Sequence, residues 1–220
     1  MKQKIRKGLI YRHFDEENIR KYEHMLEKKA ENAEKLKTGM IGHLSALNDG
    51  VIAIFITVMM LEIPYPTSER TYWEFAWLIL VFLVSFFIIA DFWYDNKKIL
   101  HMLREADHLI IVANFLFLAS LALIPVTTKW IMSEVNRYSA MNFGLVYFLV
   151  TLFQQFLYYA AVRKRFRRHL KLFFAMIFAR TGVLMAVNAV LIATAYYRPN
   201  WAVVLYIVLP VLSFFTPDEE

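Results

Sequence analysis

Between residues 44 and 215 the chain is a succession of long apolar runs separated by short polar breaks. A hydrocarbon core about 30 Å thick is crossed by roughly 20 apolar residues in a helix. The runs read as six such spans: Leu44–Ile63, closed by Pro64 and Pro66; Tyr72–Tyr94; His108–Thr127, with Pro125 at its end; Asn142–Val162; Leu172–Tyr196; and Ala202–Phe215, the shortest. Inside a bilayer every backbone N–H and C=O must be satisfied internally, which leaves helices or closed barrels. The runs lack the alternation of barrel strands and are too long for them. The fold class expected is therefore an all-α integral membrane protein with six transmembrane helices.

Composition divides the chain further. It is 59% hydrophobic, with mean hydropathy +0.41, but residues 1–43 are rich in Lys, Arg and Glu. This predicts a charged, cytoplasmic helical segment over 1–43, a transmembrane domain over 44–217 and a short acidic tail over 218–220. Absence of cysteine excludes disulfides and thiolate metal sites. The pI near 9.4 does not point to nucleic acid, because the basic residues lie between apolar spans, where they set orientation. Lys and Arg number 11 in 1–43, 3 in 95–107 and 6 in 163–171, against 1, 2 and 1 in 64–71, 128–141 and 197–201. That bias places both termini in the cytoplasm of a multi-pass protein of the cell membrane, as an even number of spans requires. Met1–Phe14 begins basic but leads into no apolar signal region.

Asp15–Lys37 reads as a charged helix. Ile19, Tyr22, Leu26, Ala33 and Leu36 recur at spacings of three and four, with Lys29 interrupting the row. Such a stripe can seed helical association or lie on a membrane surface; equally, the helix can simply be solvated.

The first span holds two carboxylates, Asp49 toward the cytoplasm and Glu62 toward the outside. A carboxylate at membrane depth is costly unless paired or wetted, and so marks a functional position or an interhelical tie. Between them Ile54, Thr57, Val58 and Leu61 share one face. The stripe fits core packing or an apolar pore constriction that gates by dewetting. Arg180 in span five calls for a carboxylate partner, Asp91 or Asp49, unless it snorkels to the cytoplasmic edge. Asn114, Gln154, Gln155 and Asn188 suit interhelical hydrogen bonds. His101, His108 and His169 lack metal spacing, and the basic run 163–168 suits anionic lipid head groups. Trp73, Trp77, Trp93, Trp130 and Trp201 fall at span ends, as an aromatic belt requires. No phosphate loop, nucleophile elbow, zinc helix or dinucleotide fingerprint occurs, so neither an enzyme nor a cofactor is expected.

Asp49, Gly50, Ala53, Ile54, Thr57, Leu61, Glu62 and Ile63 resemble the first helix of the transmembrane protein 175 family of potassium-permeable channels, whose motif is Arg-x-x-x-Phe-Ser-Asp. Ser85-Phe86, Trp93, Lys97-Lys98, Asn114, Pro125 and Pro210 stand where members have similar features. Against the motif, His43 replaces Arg, Leu47 replaces Phe and Asn48 replaces Ser, while Asn96-Lys97 stands for a His-His pair. The chain is similar to a divergent, single-repeat prokaryotic member. The resemblance implies a homotetramer whose first helices line a central pore without a Thr-Val-Gly-Tyr-Gly filter. Ile54 would form the narrowest ring, followed outward by Thr57 and Leu61, with Val58 on the same face, and K+ as the permeant ion. His43, Asn48, Asp49, Asp91, Asn114 and Arg180 are the expected interhelical network. A small ion- or proton-coupled transporter and a non-conducting membrane scaffold are the alternatives.

Overall fold

The computed structural model describes residues 16–68, 72–103, 105–163 and 170–215, with side chains at 16, 19, 170–174, 176–177, 180, 207 and 209–215 left aside. Among the described residues the regular elements are helices: α1 (Glu16–Leu61), α2 (Tyr72–His101), α3 (His108–Leu121), α4 (Ile124–Ser133), α5 (Arg137–Val162), α6 (Leu170–Tyr197) and α7 (Pro199–Phe215).

Helix α1 runs through 43 and 44 without interruption, so the charged segment and the first span form one rod of 46 residues. Its charged half has no apolar neighbour to bury against; instead Lys21–Glu17 (2.8 Å) and Lys35–Glu31 (2.6 Å) pair along its surface, each worth a few tenths of a kcal/mol. Glu62 and Ile63 close the rod with tightened turns, bonding back to Met59 O and Met60 O before Pro64 forbids continuation.

The third span differs from the sequence expectation. It does not end at Pro125 but breaks there: α3 stops at Leu121, and α4 resumes at Ile124 with Pro125 in its first turn and runs to Ser133. Proline has no N–H to donate, and its ring clashes with the carbonyl four residues back, yet it suits a helix's first turn. Pro125 therefore lies within the third span and not at its end. Together α3 and α4 are long and apolar enough to cross a bilayer, as are α1, α2 and α5. Helix α6 contributes the shorter apolar run Thr181–Tyr197, and α7 is 17 residues long.

Other ends shift for local reasons. Helix α2 continues past the apolar run, through Asp95–Lys98, to His101. Helix α5 starts at Arg137 because Asn136 and Ser139 form a reciprocal capping box. Asp107 caps α3 by accepting from Ile110 N (3.0 Å) and pairs with Arg163 at the end of α5 (2.6 Å).

The main core joins Ile52 and Met59 of α1, Ile88, Ile89 and Phe92 of α2, Phe117 and Leu121 of α3, Val150 of α5, and Tyr206 of α7. A second cluster at the other end holds Ile99, Ile110, Ala113, Leu157 and Ala160. Helix α5 packs against α3, α4 and α6, and α7 against α6 and α2. At the α5–α7 crossing Gly144 admits the Tyr206 ring: a methyl in its place would run into the hydroxyl and lie 2.8 Å from Cζ.

Candidate functional site

Ser45, Asn48 and Asp49 occupy positions i, i+3 and i+4 of α1, and Trp93, Asn96 and Lys97 repeat that spacing on α2. Three and four residues return a helix to the same face, so two polar triplets confront each other. They sort into a dry half and a wetter half.

The dry half is a triad of asparagines, each fully buried. Asn48 Nδ2 donates to Asn96 Oδ1 (2.7 Å) and Asn114 Oδ1 (2.9 Å), and Asn114 Nδ2 donates back to Asn48 Oδ1 (2.9 Å). Asn96 Nδ2 reaches Asn114 Oδ1 at 3.5 Å. A carboxamide carries both donors and an acceptor, which lets one residue tie α1 to α2 and α3 at once. In a lipid-surrounded bundle such bonds fix which helix faces which.

The wetter half is centred on Asp49. Its Oδ2 accepts from Lys97 Nζ (2.6 Å) and its Oδ1 from Trp93 Nε1 (2.8 Å). Lys97 Nζ also donates to Ser45 Oγ (2.7 Å). Both carboxylate oxygens are thus engaged, and the cation comes from α2. Further out, Thr128 Oγ1 donates to Ser85 Oγ (2.9 Å), joining α4 to α2. At the far end of the span Glu62 pairs with Lys129 of α4 (2.6 Å).

These ties hold one face of α1 against the bundle: Leu44, Asn48, Ile52 and Met59 are buried. The opposite face is bare. Ile54 is 59% exposed, Val58 43% and Leu61 84%, and Thr57 is exposed with its hydroxyl bonded back to Ile54 O (3.0 Å).

Of the network residues expected, Asn48, Asp49 and Asn114 meet in this cluster. His43 is exposed and makes no hydrogen bond among the described residues. Asp91 is half-buried. The side chain of Arg180, and with it the proposed ion pair, lies outside the described residues, as do Lys164–Arg168 of the basic run and His169. Asn96, Lys97, Ser45 and the polar edge of Trp93 were not anticipated. The signal was their matching spacing, hidden because the second span was ended at Tyr94. Gln154 donates to Phe92 O (3.4 Å) and Gln155 accepts from Thr181 (3.4 Å), both between helices, whereas Asn188 bonds its own helix at Leu184 O (2.9 Å).

Residues 43–125, which contain this whole cluster, match the family model described as endosomal/lysosomal potassium channel TMEM175. That segment is similar to the TMEM175 family over those residues. A protein described as a potassium channel from Chryseobacterium sp. (strain P1-3) is 33% identical over 94 residues, 41% of this chain and 48% of that relative. Another, from Chamaesiphon minutus, is 31% identical over 97 residues, 40% of this chain and 47% of its own length. The chain thus spans about half the length of the curated relatives it matches. The crystal structure of a lysosomal potassium-selective channel TMEM175 homolog from Chamaesiphon minutus superposes with TM-score 0.66 at 21% identity, over 79% of this chain and 96% of that one. The shared fold is the six-helix TMEM175 fold, and the chain is a multi-pass membrane protein.

Proposed function

We propose that this chain is the subunit of a potassium-permeable cation channel, a homotetramer in which α1 of each copy lines the pore. The bare face of α1 supports this reading: Ile54, Thr57, Val58 and Leu61 point away from a bundle that holds the helix firmly by its other side. A single copy cannot enclose a path along that face, whereas copies around an axis would bring it inward. Rings of Ile54 and Leu61 would exclude water until wetted, and rings of Thr57 would offer oxygen where hydration is shed. The protein would lie in the cell membrane with both termini cytoplasmic and residues 163–168 near anionic lipid. The test is K+ flux into liposomes holding purified protein. Ile54→Asn should wet the constriction and raise flux with reduced selectivity; a variant conducting no more than the parent would remove Ile54 as the narrow point.

A further inference from the structure

Helix α1 extends well beyond the membrane span, and the family match begins only at residue 43. The preceding helix, Glu16–Gly42, is about 40 Å of rod at 1.5 Å per residue. Its apolar stripe fits a heptad that Lys29 interrupts. Counting Leu26 as position a places Ala33 and Met40 at a, with Tyr22, Lys29 and Leu36 at d and Met25 at g. Arg20, Lys21, Glu23, Glu27, Glu31 and Lys35 fall on the remaining positions, where the two i,i+4 ion pairs also lie. The side chains of Met25 and Leu36 are 61% and 66% exposed, uncovered by any of the described residues.

The same count carried along the unbroken helix reaches Leu47, Ile54 and Leu61 at a and Thr57 at d. These residues are uncovered, as are Val58 at e and Met60 at g, while buried Leu44, Asn48, Ile52 and Met59 fall at b, e or f. One frame therefore describes both halves of the rod. The a positions keep a seven-residue repeat through both halves, whereas d also holds Lys29, His43 and Gly50; a seven-residue apolar repeat favours a left-handed supercoil with like helices. Charge argues for the same occupant. Residues 16–38 hold 6 Lys/Arg and 6 Glu, a neutral balance that gives neither an anionic membrane nor nucleic acid a reason to bind.

We propose that the cytoplasmic half of α1 binds the same segment of other copies, forming a parallel coiled coil coaxial with the pore. This rests on the channel reading above for the number of strands. Lys29 sits in the seam, where a lone Lys specifies register at a cost in stability.

The absence of cysteine permits single reporters in the full-length chain. Leu36→Cys and Ala33→Cys, at the seam, should cross-link between copies under mild oxidation or with a short bis-maleimide, since bridged Cα atoms lie within about 7 Å. Glu31→Cys, on the outer face, should not. Lys29→Leu should raise the melting temperature of the detergent-solubilised oligomer by about 5 °C or more. A tetramer by light scattering that cross-links at neither 33 nor 36, or equally at 31, overturns the coil and leaves the channel reading intact. A monomer overturns both.

Discussion

The ammonium of Lys97 lies 2.6 Å from Oδ2 of Asp49, so the carboxylate of the first span is neutralised from the second span and not from its own helix. The pair is one-quarter to one-half exposed, which limits its worth to about 1 kcal/mol. Lys97→Met should therefore lower the melting temperature in detergent by roughly 2–4 °C, and Lys97→Arg should retain most of the lost stability. A double-mutant cycle with Asp49→Asn should give a coupling of about 0.5–1 kcal/mol. Additive single effects would show that the contact contributes nothing.

Asn48 binds both α2 and α3, through Asn96 and Asn114. Serine offers one donor on a shorter stem and cannot serve both. Asn48→Ser should thus cost nearly as much as Asn48→Ala, about 1–3 kcal/mol, because Asn96 Oδ1 and Asn114 Oδ1 would each lose a buried donor. Thermal unfolding of the two variants side by side decides it; a serine variant as stable as the parent would mean the triad repacks freely.

How far this site is legible in sequence depends on what each residue's neighbours reveal. Asn48, Asp49 and Asn114 stand out because a polar group within an apolar run has to be accounted for. Asn96 and Lys97 do not, since they lie in a charged stretch that ends the apolar run yet continues the helix for two more turns. Apolarity reports the bilayer boundary, and helix α2 outlasts it. Pro125 misled in the opposite way. A proline is a stop signal locally, but here Thr127 N bonds back to Leu123 O (3.1 Å) and the helix resumes, packed against α5, α2 and α1.

The Tyr206 hydroxyl is buried without a hydrogen-bond partner among the described residues and sits against Gly144. Gly144→Ala would press its methyl on the ring and on Ile192 Cγ1, 2.9 Å away, a strain typically worth about 1–3 kcal/mol. Tyr206→Phe removes the orphaned oxygen and should be neutral or slightly stabilising. Combined with Gly144→Ala it should recover part of the loss. Chemical or thermal unfolding of the three variants measures this, and a double variant no better than Gly144→Ala alone would place the clash on the ring or Ile192 and not on the hydroxyl.

Thr57 gives the proposed channel its most specific test. Its hydroxyl proton is directed to Ile54 O at 3.0 Å, within the helix, so the oxygen's remaining lone pairs point outward from the bare face. An oxygen held in that way can only accept, which is what a partly dehydrated cation needs. Thr57→Val keeps the shape and removes the oxygen. An acceptor contact worth about 0.5–1.5 kcal/mol corresponds to a roughly two- to tenfold loss of K+ preference over Na+, with the oligomer unchanged by light scattering. Flux measured with each ion in the same liposomes reads the ratio directly. If the ratio held while absolute flux changed, the ring would be shaping the apolar constriction and not coordinating the ion.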